Sequence, residues 1–155
     1  MDASDIHLET LEEQANHAIA EARMVLPGVQ ALLGFQLVAV FNHRFTELSS
    51  GDQKAHIVGF LLIALAAGLL MTPAAYHRQT GGEKITRHFA KLATRLIMIA
   101  MWPLAAAIAI DTYLLSSLVF EARLAAVALA GAVVLVLVGL WFALPVLARA
   151  RRDLP

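Results

Sequence analysis

No cysteine occurs in the chain, which excludes disulfides, thiolate metal sites and cysteine nucleophiles. Charge is scarce too: Asp, Glu, Lys and Arg make up 15% of the 155 residues, against about 25% in soluble domains. Twelve acidic and twelve basic side chains cancel, so no net field draws the protein to nucleic acid. Chemical motifs are missing as well. There is no Walker loop, dinucleotide fingerprint, nucleophile elbow, HExxH or histidine pair at helical ligand spacing, so neither enzyme activity nor a metal or cofactor is expected. The acidic start "MDASDIHLETLEEQ" lacks the basic flank and apolar core of a cleaved signal, and the first apolar segment is expected to be retained.

What is present is apolar. Hydrophobic residues reach 59%, more than a soluble domain of this size can hide, and a lipid bilayer becomes the expected partner. The charges cluster between four charge-poor stretches, 24–41, 57–76, 96–110 and 124–148. A bilayer core about 30 Å thick needs roughly 20 helical residues. The expected fold is therefore all-α: a four-helix membrane bundle with spans near 24–43, 55–76, 94–115 and 123–148, preceded by an amphipathic helix over 1–24. Nine Lys and Arg residues fall on the side that would carry both termini and the middle loop, and three on the other. That bias predicts cytoplasmic termini in an inner membrane.

The N-terminal segment has a seam. Leu8, Leu11, Ala15, Ala18, Ala22 and Val25 alternate spacings of three and four, the a/d pattern of a coiled coil. If the helix continues through Pro27, the same line runs on to Val29, Leu32, Gln36, Ala39 and His43. Gln36 and His43 then become candidates to face a symmetry axis or pore in a homo-oligomer. Gln30 lies about 120° away from Gln36 and aligns with Pro27 and Gly34, a small-residue strip suited to close helix packing. Similar strips occur at Ala64, Gly68 and Thr72 and at Gly131 and Gly139. The alternative for each glutamine is a hydrogen bond to a neighbouring helix of its own bundle.

Ionisable groups within spans are functional suspects by default, which singles out Asp111 near the outer end of the third span. An ion pair with Arg44, Lys54 or Arg123 is the plainer expectation for it. His77, like His43 and His56, lies near a span end, where its charge can respond to pH. Gly81-Gly82 breaks the middle loop, after which Arg87, Lys91 and Arg95 recur every four residues, a basic stripe expected to reach lipid phosphates.

The stretches "ARMVLPGVQALLGFQL", "RFTEL", "TPAAYHR" and "RHFAKLATRL" resemble a family of small bacterial four-helix integral membrane proteins known only as a domain of unknown function. The resemblance implies a bacterial membrane protein and no agreed activity. The leading functional expectation is a homo-oligomeric channel or ion-permeation protein for small inorganic ions, with the first span near the axis. The alternative is a non-conducting scaffold or regulatory subunit that recruits a partner through its N-terminal helix.

Overall fold

A computed structural model describes residues 11–80, 87–120 and 122–152. Among them the order is α1 (Leu11–Ala39), a short α2 (His43–Glu47), α3 (Ser50–Gln79), α4 (Arg87–Val119), α5 (Arg123–Val138), a π-helical turn (Gly139–Ala143) and α6 (Leu144–Arg152). Four helices are long and apolar enough to cross a membrane: Ile19–Ala39, Ser50–Gln79, His88–Val119 and Arg123–Ala150. Leu8 and Gly81-Gly82 lie outside the described residues.

α1 passes through Pro27 without a break, so no helix end falls near residue 24 and the amphipathic segment joins the first apolar one. A proline inside a helix removes one hydrogen bond, which neighbouring helices can tolerate in a bundle. The helix stops at Ala39, where Phe41 and Asn42 donate back to Val38 and Ala39 at 3.1 Å each. Asn42 then caps α2 through Arg44 N–H at 3.0 Å, and Ser49 caps α3 through Asp52 N–H at 3.2 Å. Gln53 ties the connection down by donating to the Phe45 and Leu48 carbonyls. α4 begins well before residue 94 because Phe89 and Ala90 are buried against Ile19, and Phe89 stacks on Tyr76 at 6.0 Å.

Three helices share one core, and its seams have a coiled-coil rhythm. On α3 the buried residues His56, Gly59, Ile63, Ala66, Leu70 and Pro73 alternate spacings of three and four. Ala22, Val29 and Gln36 lie seven apart on α1, and Ala93, Ala100, Leu104, Ala107 and Leu114 line α4. The alanines let the helices approach closely, which matters where lipid offers no hydrophobic drive for association. α4 packs on α1, α3 and α5. α5 is peripheral, with only Ala126 fully buried among its described residues and a broad exposed face of Leu124, Val127, Leu135 and Val136. Trp102 stacks on Phe142 at 4.3 Å, fastening α4 to the π-helical turn.

The seam read along α1 thus packs on the chain's own α3 and α4. The small-residue strips do the opposite of what their spacing suggested within the subunit. A methyl group added at Gly34, Gly68, Gly131 or Gly139 would meet nothing within 4 Å, so these positions face outward. Close approach comes from the alanines and from Gly59.

Ile63 is fully buried and Leu65 is 53% exposed on the same helix. Ile63→Ala should lower stability by about 2 to 4 kcal/mol. Leu65→Ala should change it by less than about 0.5 kcal/mol. Unfolding titrations in mixed micelles measure both, and equal losses would contradict this packing.

Candidate functional site

Several hydroxyls in the long helices are satisfied locally. The hydroxyls of Thr72, Thr94 and Thr112 donate to the carbonyls four residues back at 2.8, 3.1 and 2.7 Å, and Ser117 donates to Leu114 at 2.8 Å. Such bonds need no second helix. Gln36, His56 and Asp111 differ, because they meet one another across three helices.

The Gln36 amide Nε2 donates to both Asp111 carboxylate oxygens, at 2.6 and 2.7 Å. Gln36 is only 5% exposed, and Asp111 is half-buried. His56, 6% exposed, places Nε2 at 2.9 Å from the Gln36 backbone carbonyl. A carbonyl can only accept, so this contact puts the imidazole proton on Nε2. That carbonyl belongs to the last turn of α1, where helical donors run out and the helix dipole favours positive charge. Phe45 presents its ring edge-on to His56 at 5.2 Å. Gly59 gives the amide its room: a methyl group there would stand 3.2 Å from Gln36 Nε2 and 3.6 Å from Asp111 Oδ1.

One atom is left over. Gln36 Oε1 is buried without a hydrogen-bond partner among the described residues. Buried unpaired acceptors cost about 1–3 kcal/mol and call for an explanation. The amide supplies one. As a donor it serves the ionised carboxylate, and after a half-turn about its terminal bond it offers Oε1 to the O–H of a protonated one. A glutamine can therefore hold Asp111 in either charge state.

Access is uneven. A groove of about 410 Å³ leads from the cluster to the α1–α3 connection, past Phe35, Asn42, Arg44, Phe45 and Leu118. In the other direction Val29, Ile63, Ala66, Leu70, Ala100, Leu104 and Ala107 form one apolar cluster with no polar member. Among the described residues no three of His, Asp and Glu gather around a common point, so the donor set fits proton and hydrogen-bond chemistry better than a metal centre.

The structure redistributes the residues singled out from sequence. Gln36 lies inside the subunit with its amide on Asp111, where an axis-facing residue would point out of it. His43 leaves the seam because α1 ends at Ala39; it is exposed at the start of α2, 3.6 Å from Glu47. Pro27, Gln30 and Gly34 are exposed on the outer face of α1. Asp111 takes an amide in place of an arginine: Arg44 pairs with Glu47 at 3.5 Å. The carboxyl sits eight residues, or about 12 Å, before the end of α4, which is deep for the exposed cations. His77 is half-buried with its ring 5.3 Å from Phe89. Lys91 and Arg95 are exposed, and the Arg87 side chain lies outside the described ones. Gly59 was missed as a site residue, and His56 was read as a span-end histidine and not as a member of the buried cluster. The signal was available: both continue backward the three-four rhythm of Ile63, Ala66 and Leu70.

Comparison with protein families finds one described as a family of unknown function (DUF6328), matching residues 5–145. No curated protein and no solved structure matches.

Two expectations follow from the geometry. A double-mutant cycle of Gln36→Ala and Asp111→Ala should return a coupling of about 1 to 2 kcal/mol, high for a hydrogen bond between membrane helices because one partner is a carboxylate. Gly59→Ala should destabilise the wild type, yet cost little in the Gln36→Ala background, where the atom it crowds is gone. Additive effects in unfolding titrations would remove the contact.

Proposed function

Because the chain belongs to a family of unknown function, DUF6328, its role has to be read from the cluster, and we propose an integral membrane protein that handles protons through Gln36, His56 and Asp111. The observation that carries this reading is a half-buried carboxyl on a membrane-length helix, held by a glutamine amide able to serve both of its protonation states. Ionisable residues at such depth mark ion pathways and proton relays more often than structural ties. His56 lines the same groove and holds the Gln36 carbonyl, which places a second proton-bearing side chain beside the carboxyl.

Protons reach Asp111 through the groove from the α1–α3 connection. That end is the outer one if the excess of Lys and Arg at the opposite end lies in the cytoplasm. The apolar cluster beyond closes the path to the opposite end, so a proton crosses only when the bundle rearranges. This keeps ion permeation and reads it as lying within a subunit, since the Gln36 side chain is buried against Asp111 and turned away from any axis between copies.

A second reading is favoured by Gln30. This amide is exposed on the outer face of α1, beside Pro27 and Gly34, where a bare amide in lipid costs free energy. Another helix covering it would make the protein a homo-oligomer or a subunit recruiting a partner.

Two experiments test these readings. Full-length protein in liposomes carrying a pH-sensitive dye should conduct protons down an imposed gradient. Asp111→Asn should abolish the flux and Glu21→Gln, at the far end, should leave it unchanged. No flux above protein-free vesicles across a range of pH, with inserted protein, overturns the proton reading. Since the chain has no cysteine, Gln30→Cys introduces a single thiol. Oxidative cross-linking in native membranes should give a homodimer for a homo-oligomer and a mixed adduct for a recruited partner. A monomer alone would leave α1 facing lipid.

A further inference from the structure

A second groove, also of about 410 Å³, lies between α1 and α3 at the opposite end of the bundle from the proton cluster. Its walls are apolar, formed by Ile19 and Leu26 on α1 and by Met71 and Ala74 on α3. Two arginines stand in it: Arg23 from α1 and Arg78 from the last turn of α3. Among the described residues no carboxylate lines it and neither guanidinium has an ion-pair partner. Gln79 adds an amide to the same lining.

We propose that this groove binds one anionic phospholipid, with its phosphate between Arg23 and Arg78 and the upper part of one acyl chain along the apolar walls. The chemistry is complementary on both counts. Guanidinium groups present forked donors that match phosphate oxygens, and Arg is the residue of choice for that geometry. Arg23 lies four residues inside one candidate span and Arg78 one residue before the end of another, the level at which basic side chains meet headgroups. The volume is in the range that takes a headgroup and part of a chain, while the rest of the lipid stays in the bilayer. Convergence distinguishes this place from the exposed stripe of Lys91 and Arg95. There the cations sit on one helix surface, whereas Arg23 and Arg78 come from two helices and share a recess.

Native mass spectrometry of the full-length protein, released from detergent after exposure to phosphatidylglycerol or phosphatidylcholine, tests the site. The wild type should retain one phosphatidylglycerol in preference to phosphatidylcholine. Arg23→Ala and Arg78→Ala should each lower retention by about tenfold, the loss of one good charge-assisted contact. Ala74→Trp should lower it with both arginines in place, because it fills the wall. Lys91→Ala should change nothing. Circular dichroism and elution volume confirm that each variant is folded. Equal retention of the two lipids, an equal loss with Lys91→Ala, displacement by inorganic phosphate, or full retention in Ala74→Trp would each overturn the proposal. None of these outcomes bears on proton flux, which depends on the other end of the bundle.

Discussion

A carboxyl group deep in a membrane-length helix must find its donors within the protein, and the paired hydrogen bonds from Gln36 to Asp111 supply them. Much of the packing follows from that contact. With Gln36 turned toward α4, helical periodicity carries Val29 and Ala22 onto the same inward line, seven residues apart. The same rotation sends Gln30 and Gly34 outward. On α3 the facing position must be small, and it is Gly59, with His56 one turn earlier meeting the Gln36 carbonyl. One amide thereby sets the rotation of α1 against two helices, through its side chain to α4 and its backbone to α3.

The contact also explains why the two halves of the bundle interior differ. Toward the α1–α3 connection the interior holds Gln36 and His56 and is reached by a groove; toward the other end the buried residues described are apolar, among them Val29, Ile63, Leu70, Pro73 and Leu104. The acid thus lies against an apolar layer and is reached from one end, the asymmetry on which the proposed proton reading rests. Among the described residues the buried polar members are Gln36, His56 and Ser116, which do not form a continuous polar file along the bundle.

The helical architecture was legible in the sequence because charge-poor stretches of sufficient length admit few alternatives in a short chain. The α1 seam was legible too, including the alignment of Gln36 with Ala22 and Val29. What the pattern could not supply was the partner of that seam. A three-four rhythm reports that a face is buried and is silent on whether the covering helices belong to the same chain or a second copy. For the same reason the glycine strips do not name their neighbour: small residues permit close approach without requiring it, and at Gly34 and Gly68 no helix of this chain makes it. The cluster was half legible. Asp111 stood out by charge, whereas His56 was hidden by its position near a helix start, where solvation is the commoner fate of a histidine. Treating it as one more member of the seam from Gly59 to Pro73 would have placed it inside.

The apolar layer raises the question of how a proton could leave the cluster by the far side, and the prolines bear on it. Each of the three core helices carries one proline, and each lies on the side of the cluster away from the α1–α3 connection: Pro27 on α1, Pro73 on α3 and Pro103 on α4. A proline deletes a backbone hydrogen bond and leaves a carbonyl four residues earlier without its helical donor, so these are the points at which the helices bend most easily. Pro103 sits eight residues before Asp111, and the neighbouring Trp102 stacks on the π-helical turn, itself a site of irregular hydrogen bonding. The layer that seals the path is thus built from the helix segments least able to resist bending, while the capped end that holds the cluster is tied by Asn42, Ser49 and Gln53. On the proposed proton reading, bending confined to the proline-bearing half is the motion that would open the layer without breaking the Gln36–Asp111 contact.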